Sequence, residues 1–141
     1  MSLYVDSSCL LKLVLDEPES PRVRSLLAAE EGIAVSTLAA LEAQSVLLAM
    51  KLGGEISPRH HARLAAGLTE LLSKPPFALH ALPASACALA IQQLATGPYC
   101  RTLDRLHLAA MAAAHLRRLL TNDDTQAIAA RAFGFSVVQP R

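Results

Sequence analysis

The feature that most constrains the fold is a series of short apolar runs, each followed by a stretch in which apolar residues recur with helical spacing. The runs show no alternation with polar residues, which is typical of strands buried on both faces of a parallel sheet. They lie at residues 2–5, 33–35, 77–82, 119–121 and 136–138. Strands of this kind alternating with helices predict an α/β fold with a central parallel sheet covered by helices.

Capping and helix-breaking residues set the limits of the predicted helices. Ser36 or Thr37 is placed to cap a long helix that Gly53 ends. The stretches with helical spacing are residues 10–15, 20–31, 38–52, 57–73, 83–95, 104–116 and 123–133. Because the sequence contains no internal repeat, low-complexity tail or linker, we expect residues 1–141 to form a single domain.

Composition limits the class of protein. Apolar residues make up 52% of the chain, which is enough for a sizeable core, and the formal net charge of +1 gives no sign of a nucleic-acid partner. Three cysteines without CxxC spacing argue against a disulfide framework or a zinc site. The sequence shows neither a signal-peptide pattern nor an apolar run long enough to span a bilayer, so we expect a soluble, cytoplasmic protein.

Four acidic residues stand in apolar surroundings near the predicted carboxyl ends of strands, where open α/β sheets bind ligands. Asp6 ends the first strand, and Asp123 follows the fourth. Glu42 lies in the helix after the second strand, and Asp104 opens a helix after a Gly-Pro loop. Each also has a structural explanation: Asp6 as a helix cap, and Asp104 and Asp123 as first-turn carboxylates that favour the helix dipole.

Glu42 is the hardest of these acids to explain structurally, because its neighbours leave little polar face and no Lys or Arg lies within a helical turn. A buried carboxylate needs a cation or a hydrogen-bond partner; the alternative is a solvated side chain beside Gln44 or Ser45. Carboxylates that gather raise one another's pKa, and a fold tolerates this mainly when a cation neutralises them.

Ligands that are all oxygens suit Mg²⁺ or Mn²⁺, so the four acids predict a divalent-metal site. If the acids gather, Asp6→Asn removes repulsion and raises the melting temperature of the metal-free protein, or leaves it unchanged.

Five segments carry a resemblance to a known family. They are LYVDSS at residues 3–8, TLAALEA at 37–43, LDRLHLA at 103–109, LTND at 120–123 and FGFSVV at 133–138. In this order, across nearly the whole chain, they resemble the PIN domain and, more narrowly, the VapC-type toxin ribonucleases of toxin–antitoxin pairs. The resemblance implies a parallel sheet with helices on both sides and Mg²⁺ or Mn²⁺ in an acidic pocket. It also implies endonucleolytic cleavage of RNA, a cognate antitoxin as partner, and a homodimer.

The same resemblance assigns roles to particular residues. Asp6, Glu42, Asp104 and Asp123 match the four catalytic acids, of which Asp6, Asp104 and Asp123 would bind the metal. Thr121 matches a hydroxyl position beside the fourth acid.

Several assignments stay open at this stage. Asp124 is an alternative fourth acid, or else the capping-box partner of Thr121. The residues that could contact RNA phosphates are Ser7 (or Ser8), Lys12, Arg101 and Arg105, although ordinary surface charges explain the three basic residues equally well. His107 invites a role as general base, but a packed histidine on an Ala-rich helix is the preferred interpretation.

Two other functions were weighed against the nuclease. One is a catalytically silent protein-binding module, in which the apolar helices between residues 38 and 72 supply a partner face. The other is a phosphatase or receiver domain, which the sequence disfavours because Ser8 stands where the phosphatase type needs a second Asp. The receiver type is also disfavoured, since the chain lacks its central Asp and late Lys.

Overall fold

A computed structural model describes residues 2–141 of the chain, which contain five strands and seven helices. In chain order they are β1 (Leu3–Val5), α1 (Ser7–Leu11), α2 (Ser20–Ala28), β2 (Ile33–Ser36), α3 (Thr37–Leu52), α4 (Pro58–Leu72), β3 (Phe77–His80), α5 (Ala86–Leu94), α6 (Thr102–Ala113), β4 (Arg118–Leu120), α7 (Asp124–Ala132) and β5 (Ser136–Val138). Within residues 2–141, no helix combines the length and the apolar character needed to cross a bilayer.

The strands form one parallel sheet in the order β3-β2-β1-β4-β5, which confirms the predicted α/β fold. In β1, Leu3 is aligned with Ile33 of β2 on one side and with Arg118 of β4 on the other. The chain first builds outward from β1 to β3 and then continues on the other side of β1 with β4. This change of direction lies between β1 and β4, and open α/β sheets bind ligands at the carboxyl edge beside such a point.

The central strands β1, β2 and β4 are largely buried on both faces of the sheet, whereas the edge strand β3 is mostly exposed and β5 is half-buried. In β1, successive side chains enter different cores. Leu3 and Val5 pack in an apolar cluster with residues of α1 to α4. Tyr4, between them, packs on the opposite face with Leu108 of α6 and Ala129 of α7. Helices on both sides therefore explain why the sequences of the central strands lack polar alternation.

Serine side chains cap the start of two long helices. The Ser36 hydroxyl accepts a hydrogen bond from the Leu38 amide at 3.0 Å, so Ser36 rather than Thr37 caps α3. Ser57 accepts from the His60 amide in the same way and begins α4. A cap of this type contributes about 1 kcal/mol to stability.

Some helix limits differ from those predicted. The first helix ends at Leu11 rather than near residue 15, because the next three amides donate to carbonyls three residues back. α2 ends at Ala28, and α5 begins only at Ala86, after a turn. α6 occupies Thr102–Ala113 rather than 104–116, since His115 adopts a left-handed conformation with φ 57° that turns the chain toward β4.

A two-pronged ion pair ties the loop after α2 to β4. Arg118 Nη1 and Nη2 donate to Glu30 Oε2 and Oε1 at 2.9 and 2.7 Å. These hydrogen bonds lower the pKa of Glu30 below its ordinary value. The pair therefore stabilises the fold above the ordinary Glu pKa, and its contribution is lost as the pH falls through the lowered value.

We expect Glu30→Gln to reduce the free energy of unfolding at pH 7 by about 1 kcal/mol, because one prong of the pair and its charge are lost. Urea unfolding at pH 7 and at about pH 3 measures this, and the difference from wild type should shrink at the lower pH. Glu31→Gln, at the exposed neighbouring position, is the matched control and should leave stability unchanged. An equal loss at both pH values would show that the ion pair is not the cause.

Candidate functional site

Asp6 lies directly after β1 in a cage of hydrogen bonds, with only 4% of the residue exposed. It caps α1 by accepting from the Cys9 amide at 3.0 Å. The Ser8 hydroxyl lies at hydrogen-bond distance from both carboxylate oxygens of Asp6, 2.8 Å from Oδ1 and 2.9 Å from Oδ2. The Thr121 hydroxyl donates to Asp6 Oδ2 at 2.5 Å. Burial raises the pKa of Asp6, although these hydrogen bonds favour the charged form.

Thr121 connects the acids that follow β1 and β4. Its hydroxyl donates to Asp6 and accepts from the backbone amide of Asp123 at 3.0 Å. Asp123 in turn caps α7 by accepting from the Gln126 amide at 2.9 Å. Thr121 thus fixes the backbone at Asp123 and the carboxylate of Asp6, whereas the sequence indicated only a role beside the fourth acid.

Arg101 bridges Asp104 and Asp123 with one guanidinium. Its Nε donates to Asp104 Oδ2 at 2.9 Å, and its Nη2 donates to Asp123 Oδ2 at 3.1 Å. The Asp104 side chain is 11% exposed and that of Asp123 is 27% exposed, whereas the Arg101 side chain is 72% exposed. The one signal for this pairing in the sequence is the three-residue spacing between Arg101 and Asp104 at the start of α6.

Glu42 is held by a histidine that is almost fully buried. His107 Nε2 lies 2.5 Å from Glu42 Oε1, and His107 Nδ1 lies 2.5 Å from the Tyr4 hydroxyl. A neutral ring satisfies both contacts if Tyr4 donates to Nδ1 and Nε2–H donates to Glu42. Burial, together with the charges of Asp6 and Glu42, raises the pKa of Tyr4, so its hydroxyl keeps its proton. His107 is therefore packed, as predicted, and it is also the partner that Glu42 was expected to need.

The four acids face one region at the carboxyl edge of the sheet. Asp6, Thr121, Asp123, Arg101 and Asp104 form a continuous chain of hydrogen bonds. Glu42 and Asp104 line the same cleft of about 210 Å³, together with residues 101–103.

This region is not arranged as a finished metal site. Across residues 2–141, no three Asp, Glu, His or Cys side chains are grouped closely enough to hold a metal ion. Instead, Arg101 neutralises two of the acids. The guanidinium offsets the repulsion between these two carboxylates, because it donates a hydrogen bond to each of them.

The structure distinguishes Asp123 from its neighbour Asp124. The Asp124 side chain is 67% exposed and accepts from Arg141 at 2.8 Å and from Gln139 at 3.0 Å. Hydrogen bonds from Gln139 and Arg141 lower its pKa. Because Asp123 shares Arg101 with Asp104 and Asp124 does not, the geometry favours Asp123 as the fourth acid.

Three of the candidate phosphate contacts are placed unfavourably. Lys12 is buried and forms ion pairs with Glu17 and Glu19 at 3.3 and 3.2 Å. Arg105 is 2% exposed, donates to the Pro98 carbonyl and lies over the Phe133 ring. Ser7 starts a helix of only five residues, whose Cys9 amide is already taken by Asp6. Of the four candidates, Arg101 is the one that is both exposed and close to the acids.

Loss of the Tyr4 hydroxyl should destabilise the protein. Tyr4→Phe leaves His107 Nδ1 buried without a donor, so we expect the free energy of unfolding to fall by about 1–3 kcal/mol. Tyr99→Phe is the matched control, because Tyr99 is 78% exposed. Urea unfolding of both variants measures the difference, and equal stability of the two would contradict a structural role for the Tyr4–His107 hydrogen bond.

Comparisons with known proteins agree with this architecture. A family model described as the PIN domain matches residues 3–132. The chain is 34% identical to Ribonuclease VapC46 of Mycobacterium tuberculosis over 144 aligned residues, which cover 99% of this chain and 98% of that protein.

Solved structures at lower identity share the fold. VapC20 of Mycobacterium tuberculosis, described as a sarcin-ricin loop cleaving toxin, has a TM-score of 0.72 at 16% identity, covering 95% of this chain and 96% of that one. FitAcB of Neisseria gonorrhoeae also has a TM-score of 0.72, at 17% identity, covering 98% of this chain and 97% of that one. The family match and the relative that aligns along almost the whole length establish that this chain belongs to the PIN domain family.

Proposed function

We propose that this chain is a metal-dependent endoribonuclease and the toxin of a type II toxin–antitoxin pair. The observation that carries the proposal is that Asp104 and Asp123 both accept hydrogen bonds from the Arg101 guanidinium. Thr121 links Asp123 to the buried Asp6. Similarity to a protein named as a ribonuclease along 99% of the chain supports nuclease activity.

The donor set fits a hard divalent ion. Asp6, Asp104 and Asp123 provide carboxylate oxygens, the ligands that Mg²⁺ and Mn²⁺ prefer. Two of these carboxylates already accept hydrogen bonds from a single guanidinium, so a positive charge fits between them. Asp6, Asp104 and Asp123 would hold Mg²⁺ or Mn²⁺ at this edge of the sheet.

The bound ion would lower the pKa of a water molecule and stabilise the charge that develops on the phosphodiester. The residues of the chain supply orientation. Thr121 and the Cys9 amide hold the Asp6 carboxylate in place, and His107 holds Glu42 through Oε1. The other oxygen of Glu42 remains for a hydrogen bond to water in the cleft. Arg101, exposed beside the acids, is the side chain best placed to contact an RNA phosphate.

Exposed apolar side chains on two helices support the proposal that this chain binds other proteins. Leu41 and Leu52 of α3 are 65% and 75% exposed, and Ile91 and Leu94 of α5 are 68% and 60% exposed. Apolar surface of this kind marks interaction sites when it is contiguous. We assign these helices to a homodimer contact and to a cognate antitoxin. A catalytically silent binding module would use the same surfaces, but it would have no need of the acids.

Cleavage of a circular RNA tests the proposed activity. A circle has no ends, so its conversion to linear fragments requires an endonuclease. We expect the purified protein, shown by mass spectrometry to carry no bound partner, to linearise the circle in Mn²⁺. A circle that stays intact while linear RNA of the same sequence is degraded would contradict the endonuclease assignment, and survival of both RNAs would contradict nuclease activity altogether.

A further inference from the structure

We infer that Arg101 is an internal competitor of the metal ion: its guanidinium occupies the cation position between Asp104 and Asp123, and it must leave before the metal can bind. This inference rests on the metal site of the proposed function. It adds that a side chain of the protein itself, Arg101, neutralises Asp104 and Asp123 in the metal-free state.

The position of the guanidinium carries the inference. Two different nitrogens of Arg101 donate to one oxygen each of Asp104 and Asp123, at 2.9 and 3.1 Å. The pKa of Arg101 is raised, first by the hydrogen bond with Asp104 and then by the charges of Asp104 and Asp123, with a smaller contribution from Glu42. Arg101 also lines the cleft that contains Glu42 and Asp104. The positive charge of Arg101 therefore interacts with the same carboxylates that would attract a metal ion.

The bridge is built to be reversible. Arg101 is the N-cap residue of α6, but its side chain makes no capping hydrogen bond. The start of α6 therefore does not depend on where the Arg101 side chain lies. The Arg101 side chain is 72% exposed, while the carboxylates that it bridges are largely buried. Ion pairs with such an exposed partner contribute little free energy, because water competes for the charge. Arg101 can consequently move into solvent while the acids keep their places.

Mutual exclusion has a measurable consequence. When a site is available in only a fraction of the molecules, the apparent dissociation constant rises by the inverse of that fraction. Removing the competitor should lower the apparent Kd for the metal, and the effect should be modest because the bridge is weak. For Arg101→Gln we expect about a 3- to 10-fold tighter Mn²⁺ affinity.

Titration of Mn²⁺ into EDTA-stripped, extensively dialysed protein, followed by electron paramagnetic resonance of free Mn²⁺, measures this affinity without RNA. The proteins compared are wild type, Arg101→Gln, Asp104→Asn and Arg141→Gln. Arg141 is the matched control, because it is a half-exposed arginine that pairs with Asp124 and Asn122 and contacts neither Asp104 nor Asp123. Arg141→Gln removes the same charge from the neighbourhood and leaves the bridge intact.

Tighter binding by Arg101→Gln, with Arg141→Gln unchanged, is the expected result. Equal affinity of wild type and Arg101→Gln, or weaker binding by that variant, would overturn the inference. So would an equal gain in both arginine variants, since charge alone would then explain it. In these cases the proposed function stands as long as Asp104→Asn binds Mn²⁺ less tightly than wild type. If neither wild type nor Arg101→Gln binds Mn²⁺, the metal site and the inference both fail.

Discussion

Replacing Asp104 with Asn is expected to reduce the rate of RNA cleavage by about 10²–10³-fold and to leave the fold intact. A loss of this size is typical when a group that helps to stabilise transition-state charge is removed. Asn has the same shape and can still accept the hydrogen bond that Arg101 Nε donates. Initial rates on a fluorogenic RNA at saturating Mn²⁺, together with a melting curve, measure the two properties separately.

Asp124→Asn is the matched control for this prediction, because the two substitutions are chemically identical. Asp124 is exposed and paired with Arg141, away from the Arg101 bridge. We expect Asp124→Asn to keep the wild-type rate and Asp123→Asn to lose it. Equal rates for Asp104→Asn and wild type would mean that the acids at this edge are not part of a nuclease site, and the binding-module hypothesis would then gain support.

Asp6→Asn is expected to have opposite effects on activity and stability. Cleavage should fall as in Asp104→Asn, while the melting temperature of the metal-free protein at pH 7 should rise by about 2–5 °C, the shift that roughly 1 kcal/mol produces in a domain of this size. Asn still accepts from the Cys9 amide, and the hydroxyls of Ser8 and Thr121 can turn to accept from its amide group. The substitution therefore removes a buried charge without removing the helix cap.

The pH dependence of this difference has a definite sign. Because burial raises the pKa of Asp6 in the folded state, the folded protein binds more protons than the unfolded chain between the ordinary and the raised pKa. Wild-type stability due to this group therefore falls as the pH rises through that range. The gain from Asp6→Asn should shrink in acid and also when Mn²⁺ is added. A lower melting temperature for Asp6→Asn in EDTA at pH 7 would contradict the prediction.

The sequence and the structure agree on the direction of this effect but not on its cause. The sequence suggests repulsion among gathered acids, whereas in the structure the largest influence on Asp6 is burial. Burial of an acid at a strand end depends on α1 and on Thr121, 115 residues away in the chain. Contacts at such a separation follow from packing, which one sequence without the fold does not specify.

The strands were predictable because their signal is local: each is a short apolar run, and the central strands are buried between two apolar clusters. Burial on both faces, which the sequence predicted for every strand, does not extend to the edge strand β3, whose residues are mostly exposed. Their order was not, since it depends on which side of β1 the chain places β4. The limits of α1 were also predicted wrongly. The pattern of Leu10 and Leu15 is helical, but the backbone after Leu11 forms turns with shorter hydrogen-bond spacing.

The candidate site also has one part that the sequence indicates and one part that only the fold determines. The acids stand out in the sequence because charged residues in apolar surroundings need an explanation. Their partners do not stand out: Glu42 and His107 are 65 positions apart and meet only across α3 and α6. Lys12 and Arg105 have the charge expected of phosphate contacts, yet burial against Glu17 and Pro98 removes them from the surface.

Metal dependence of RNA cleavage by the purified, partner-free protein tests the central claim most directly. Cleavage is measured in EDTA and then during stepwise addition of Mg²⁺ or Mn²⁺, with Asp104→Asn treated in parallel. We expect no cleavage in EDTA, recovery with metal in the wild type, and no recovery in the variant. Cleavage that persists in EDTA, equal rates in the two proteins, or a wild type that stays inert at every metal concentration would contradict a metal-dependent nuclease built on these acids.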